Sequence, residues 1–136
     1  MKILVCGGRD YDDRQNVFDM LDVFNTRNNL GVTLVIHGGA SGADKLAHMW
    51  ACARGLRINS YPADWQKHGK RAGPIRNRQM LTEGQPDAVI VFPGGKGTQD
   101  MMSAAISAKV PVWHTIGLVQ WGESSQRGKH EAQPVV

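Results

Sequence analysis

Three short apolar runs each end on a Gly-Gly pair: Ile3-Leu4-Val5-Cys6 before Gly7-Gly8, Thr33-Leu34-Val35-Ile36-His37 before Gly38-Gly39, and Ala88-Val89-Ile90-Val91-Phe92-Pro93 before Gly94-Gly95. A stretch of helix-like sequence follows each one. Glycine at a strand-to-helix turn lets backbone N–H groups approach an anion that a Cβ would hold away, and the dipole of the following helix adds favourable charge. The chemistry served is binding of a phosphate or nucleotide. Pro93-Gly94-Gly95-Lys96-Gly97-Thr98 is the fullest form of the pattern, with Thr98 placed to cap the helix or to bond a phosphate oxygen. It is not a Walker loop, because Lys96 precedes the final glycine where GxxxxGK[ST] has lysine after it. One such pair is equally a tight turn with no ligand; three at one sheet edge favour the cradle.

Gly38-Gly39-Ala40-Ser41-Gly42-Ala43-Asp44 repeats the arrangement. Ser41 reads as the N-cap of the following helix, and Asp44 in the first turn complements the dipole. A nucleophilic serine would need a GxSxG elbow and triad partners, which this segment does not supply. His37 ends an apolar strand and reads as a satisfied core histidine. The segment Lys67 to Arg78 is basic; Arg76 and Arg78 lie two apart on a helix, so at most one faces a given crevice. Arg76 is assigned to the crevice, Lys67, Lys70 and Arg71 to a solvated loop. The five histidines lack paired spacing and no carboxylate cluster accompanies them, so neither a metal nor a cofactor is expected.

The elements that position these residues follow from periodicity and punctuation. Val17, Phe18, Leu21 and Phe24 recur at helical spacing behind Asp12 or Asp13 as N-cap. A second helix runs from about 43 to 54 with Leu46, Ala47, Met49, Trp50 and Ala53 inward, and Gly55 stops it. Strands are expected at about 57–61, 88–92 and 112–116, a surface loop over 62–73, and helices over 75–83 and 98–108. Alternating strand and helix imply an α/β, Rossmann-like three-layer sandwich around a parallel five-stranded sheet of order 3-2-1-4-5. That order puts the switch point between strands one and four, so Gly7-Gly8-Arg9 and Gly94 to Thr98 face each other across one crevice.

At 136 residues the chain suits one domain, with 41% hydrophobic and 21% charged residues in the ordinary globular range. The binding domain is expected over 1–116, and 117–136 reads as a polar tail. No run approaches the roughly 20 apolar residues of a membrane span, and no secretory h-region is seen, so the expectation is a cytoplasmic protein that avoids membranes. Cys6 and Cys52 fall in apolar segments and read as buried thiols. The net charge of +4 would suit nucleic acid, but the basic residues form no long run with interleaved aromatics, so a small anionic ligand fits at least as well.

Taken together, Cys6 to Tyr11, His37 to Asp44, Ala72 to Met80 and Pro93 to Thr98 resemble the SLOG superfamily over about residues 1–116, in particular its small YspA-type branch. The superfamily is named for Smf/DprA and LOG (Lonely Guy) proteins. LOG enzymes hydrolyse the N-glycosidic bond of nucleoside 5′-monophosphates with a glutamate from PGGxGTxxE and an arginine from RKxxM. Here Met101 stands at the glutamate position, and Arg76-Asn77-Arg78-Gln79-Met80 has asparagine for the lysine. A carboxylate stabilises the positive charge that builds on the ribose and a thioether does not. Asp100 is one residue away, about 100° round the helix.

The reading that results is a binder of a nucleotide-like small molecule. Gly7, Gly8, Gly94, Gly95, Lys96, Gly97 and Thr98 hold phosphate, Arg9 and Arg76 balance charge, and Gly38, Gly39, Ser41 and Asp44 line the second loop. An N-glycosidase using Asp100 and Arg76 is the alternative, with Asp44 as a second candidate carboxylate. A DNA-associated module is the third reading and is not favoured. The resemblance also implies a homodimer, since SLOG domains often pair through their helices.

Overall fold

The computed structural model describes residues 1–27, 31–115 and 119–121. Strands β1 (Lys2–Cys6), β2 (Leu34–His37), β3 (Arg57–Ser60), β4 (Ala88–Val91), β5 (Val112–His114) and β6 (Val119–Trp121) alternate with helices α1 (Arg14–Arg27), α2 (Ala43–Ala53), α3 (Trp65–His68), α4 (Ala72–Gly84) and α5 (Lys96–Ser107). They form one sheet of order β3-β2-β1-β4-β5-β6. The first five strands are parallel in the expected order. β6 adds an antiparallel edge. It lies in the stretch read as tail, where three residues gave too short a run for a period to register; 122–136 fall outside the described residues.

Alternation along buried strands divides the core in two. Ile3 and Val5 of β1, with Val35 and Ile90, face α1 and α2 and pack on Val17, Leu21, Phe24 and Trp50. Leu4 and Cys6, with Ile36, Val89 and Val91, face α4 and α5 and pack on Met80, Met101 and Ala105. Apart from Lys2 at the start of β1 and His37 at the end of β2, the strands β1, β2 and β4 are therefore apolar, as strands covered on both faces must be. Each fully buried Ile, Leu or Val contributes about 1.5–3 kcal/mol.

Asp13 caps α1, accepting from the Asn16 amide at 3.0 Å. Met20 takes the core position expected of Phe18, which lies at the edge under the guanidinium groups of Arg14 and Arg54. In α2 the inward side is Ala43, Asp44, Ala47, Trp50 and Ala51, so the stripe sits one step from the expected one; Ala53 is exposed. Cys52 shares that outward face and is exposed, contrary to expectation, while Cys6 is buried. The stretch read as a surface loop holds α3, capped by Asp64 through the Lys67 amide, then a 3₁₀ turn over Gly69–Arg71 that leads into α4 three residues earlier than Pro74 implied. Lys and His in that segment masked its helical spacing.

Candidate functional site

At the switch point the turn after β1 and the turn after β4 are bonded to each other. The Gly8 amide donates to the Pro93 carbonyl at 2.8 Å, and the Gly8 carbonyl accepts from Ala43 at 3.1 Å, which closes the N-terminus of α2 with a backbone group. Gly42 is the N-cap residue there, with no side-chain cap bond, so Ser41 does not cap this helix. Its hydroxyl instead donates to the Arg9 carbonyl at 3.1 Å. Thr98 does not cap α5 either. Gly95 holds the N-cap position, again without a side-chain bond, and Thr98 is buried in the first turn.

The glycines divide by what a Cβ would meet. At Gly7 it would lie 2.6 Å from Ala43 Cβ, and at Gly8 3.1 Å from the Pro93 carbonyl oxygen. At Gly38 it would collide with the Arg76 guanidinium, at Gly94 with Thr98 Oγ1, and at Gly42, whose φ is +73°, with the Gly8 carbonyl. These glycines are required by the protein's own packing. At Gly95 and Gly97 a Cβ meets nothing within 4 Å.

Those two open positions border a cavity of about 570 Å³ between the two turns and α4. Its floor is apolar, from Val5, Cys6, Met80 and Met101. Arg9, Lys70, Arg76 and Lys96 bring positive charge to it, and Asp44 and Asp100 bring negative charge. The amides of residues 96–98 precede the first α5 bond, from the Gln99 amide to the Gly95 carbonyl, so they have no partner within the helix, and all three residues border this space. A smaller cavity of about 170 Å³ adjoins it at Gly38, Gly39 and Ser41, and Arg9, Ala40, Trp65 and Arg76 border both. Of the expected site residues, Gly7, Gly8, Arg9, Asp44, Arg76, Lys96, Gly97, Thr98, Gly95 and Asp100 thus come together at the large cavity, Gly38, Gly39 and Ser41 at the small one, and Gly94 at neither.

Arg76 is half-buried and reaches back from α4 to the second glycine turn. Its Nη1 donates to the Gly38 carbonyl at 2.5 Å and its Nε to Asn77 Oδ1 at 3.0 Å. Nη2 has no partner among the described residues. Desolvation pulls the guanidinium below its ordinary pKa, and Asp44 opposes that shift. Asp44 Oδ2 accepts the amides of Gly38 at 3.0 Å and Ala40 at 3.2 Å, which fixes the turn. Burial pushes the Asp44 carboxyl above its usual range, against the pull of those amides, Arg76 and Arg9. Arg78 points the other way, to Asp100, with contacts of 2.8 and 3.1 Å. Asn77 also donates to Asp100 at 3.0 Å, and together Arg78 and Asn77 hold that carboxyl below its usual range.

His37 is the satisfied core residue expected. Its Nδ1 accepts the Gly39 amide at 2.9 Å, so the proton sits on Nε2 and bonds His48 Nδ1 at 3.0 Å. Burial, then the neighbouring His48 and Arg76, push its pKa down to about 4. Trp65 and Asn77 border the cavity without having been expected at the site, and Lys70, expected in a solvated loop, borders it too. Asp64 as a helix-capping residue before Trp65 was the available signal for the first.

A sequence model of the YspA, cpYpsA-related SLOG family matches residues 1–68. The Gene 61 protein of Mycobacterium phage D29 is 38% identical over 118 residues, covering 82% of this chain and 93% of that protein. The chain belongs to the YspA, cpYpsA-related SLOG family. Among solved structures, DprA from Streptococcus pneumoniae superposes with a TM-score of 0.65 at 20% identity over 83% of the chain. The chain spans about half of that DprA, 49% of its length. TM1055 gives a TM-score of 0.64 at 19% identity, over 93% of this SLOG chain and 79% of its own. Helicobacter pylori DprA, solved for its single-stranded DNA binding mode, gives 0.57 at 16% identity, over 98% and 74%. At such identities the likeness is one of fold. Among the described residues, no helix is long and apolar enough to cross a membrane.

Proposed function

We propose that this SLOG domain binds a nucleotide or nucleotide-derived small molecule in the large cavity, with its phosphate on the first turn of α5. One observation carries the reading: Gly95 and Gly97 have no packing reason to be glycine, and both border the cavity at the start of α5. Glycine at both positions leaves the border of the cavity free of side chains, which supports close approach of a phosphate to the backbone. Lys96, Arg9 and the uncommitted Nη2 of Arg76 supply charge, and a charge-assisted bond of this kind is worth about 1.5–3 kcal/mol. The module is assigned to residues 1–121, extending the expected 1–116 to take in β6, in a cytoplasmic protein. Ile75 and Ile106, exposed on the α4 and α5 side, support pairing of two copies there, which the solution mass would test.

The test is a thermal-shift panel of nucleoside mono-, di- and triphosphates and cyclic nucleotides. A shift with at least one supports the reading, and none across the panel removes it. A second reading, hydrolysis of the N-glycosidic bond, draws support from Asp100, an ionised carboxylate on the cavity wall. Both of its oxygens are engaged by Arg78 and Asn77 while Met101 is buried beside it, so we expect no free base from AMP over hours of chromatographic assay. Base release lost in Asp100→Asn would reverse that order of preference. A DNA-associated role, supported by the fold of the DprA proteins, would appear as oligonucleotide binding that falls steeply with salt.

A further inference from the structure

Trp65 belongs to neither core cluster and is 46% exposed, one of three large apolar residues left so open among the described residues. It is held in place all the same. Asp64 caps the short helix that carries it, the Arg9 guanidinium lies 5.0 Å from its ring centroid, and its Cζ/Cη edge lies over Gly73, where a Cβ would come to 3.5 Å of Cη2. It borders both cavities and is the only aromatic side chain that borders either among the described residues. Arg9 takes one face of the indole, and no other ring or cation among the described residues stacks on it. A positioned, half-bare aromatic plane beside a cationic, phosphate-sized site is what a planar base requires, because stacking works through the π-face of any base.

We infer that Trp65 is the platform on which the base of the ligand stacks, sandwiching the indole between that base and Arg9. The inference rests on the phosphate site proposed above and adds the ligand class: a molecule carrying both a phosphate and an aromatic base, as opposed to a sugar phosphate. The apolar floor of the cavity offers no rival plane, since Met80 and Met101 are almost wholly buried in the core and present only thioether edges. Because stacking reads no hydrogen-bond pattern, Trp65 selects for the presence of a base and discriminates weakly among bases.

The experiment is calorimetric titration of the wild type, Trp65→Ala and Trp65→Phe with AMP and with ribose 5-phosphate. Wild type should prefer AMP by about 5- to 150-fold, the range of one base–aromatic stack. Trp65→Ala should lose that preference while its affinity for ribose 5-phosphate stays within about twofold, and Trp65→Phe should retain part of it. A wild type that binds both equally, or an alanine variant that keeps the preference, overturns the platform and leaves the phosphate site standing. Binding of neither compound, or of a single-stranded oligonucleotide alone, overturns the platform, and the phosphate site falls with it when the nucleotide panel is silent as well. Parallel loss of both ligands in Trp65→Ala would show that the residue props up the site without stacking on the base, and also overturns the inference.

Discussion

Replacing Gly97 with alanine separates the two jobs a glycine can do at a helix end. Nothing lies within 4 Å of a Cβ built there, and the residue sits in the first turn of α5, so alanine fits the unliganded protein. Gly→Ala at a compatible position stabilises by about 0.4–1 kcal/mol, because the unfolded chain loses freedom. With an unfolding entropy of about 2.1 cal/mol/K per residue, each kcal/mol moves the Tm of a chain this size by roughly 3.5 °C, so the free variant should melt about 1–4 °C higher. Ligand binding should go the other way. Helical Cα–Cβ bonds tilt toward the N-terminus, so the new methyl enters the space before the amides of residues 96–98. Losing two charge-assisted bonds of about 1.5 kcal/mol each weakens binding roughly 150-fold. At about a hundred times its Kd, the nucleotide stabilises the wild type by about 2.7 kcal/mol, near 9 °C; the same concentration contributes only about 0.3 kcal/mol, near 1 °C, to the variant. Scanning fluorimetry with and without nucleotide reads both numbers. A variant that keeps the full ligand shift refutes the seating of phosphate on α5, and one that melts lower when free refutes the claim of open space.

Gly94→Ala should behave oppositely, costing about 1–3 kcal/mol in urea unfolding without ligand, because its Cβ collides with Thr98 Oγ1 and approaches the Gly8 amide nitrogen to 2.7 Å. Arg76→Lys should weaken nucleotide binding by about tenfold or more, since lysine cannot hold the Gly38 carbonyl and present a second donor to the cavity, whereas Arg71→Ala should change the Kd by less than about twofold; equal effects would mean that only net charge matters. The folded pKa of His37 is depressed to about 4 from an ordinary 6.5, so its contribution to stability is complete above pH 6.5 and declines as pH falls toward 4. Wild-type urea midpoints should therefore decline more steeply across that window than those of His37→Gln; His114, also depressed by burial, adds to the decline in both proteins and Asp44, whose pKa is raised, opposes it, while the depressed Asp22 and Asp100 lose their contributions only below 3.8.

The sheet was legible because its evidence is redundant. β1, β2 and β4 are covered on both faces, so their inner residues are apolar and the run shows through any error of register. Strand order followed from connection rules that hold whatever the side chains are. The helices were less legible where one residue serves two masters. Phe18 has helical spacing and yet lies at the edge of the core, because two guanidinium groups cover it. Cys52 sits within an apolar stretch but on the outward side of α2, a distinction of one helical step. The segment 62–73 hid α3, since a four-residue helix has no period to detect and owes its start to a single cap.

For the site, the sequence revealed which residues assemble and concealed why. Gly7, Gly8, Gly38, Gly42, Gly94, Gly95 and Gly97 look alike in a chain, and sequence alone assigns most of them one role. Space distinguishes them. Five let a strand, a helix and two turns meet closer than Cβ atoms permit, and they would be glycine with or without a ligand. At Gly95 and Gly97 no packing contact requires glycine. The same ambiguity governs the acidic pair: Asp44 and Asp100 both border the cavity, but Asp44 is committed to the amides of Gly38 and Ala40, and Asp100 to Arg78 and Asn77. Asp100 has both oxygens engaged, and Asp44 has one oxygen, Oδ2, engaged, while the α5 amides and Arg76 Nη2 still have bonds to make. Apart from Asp44 Oδ1, the unpartnered groups named at this cleft are donors, and donors at an open helix start select an anion.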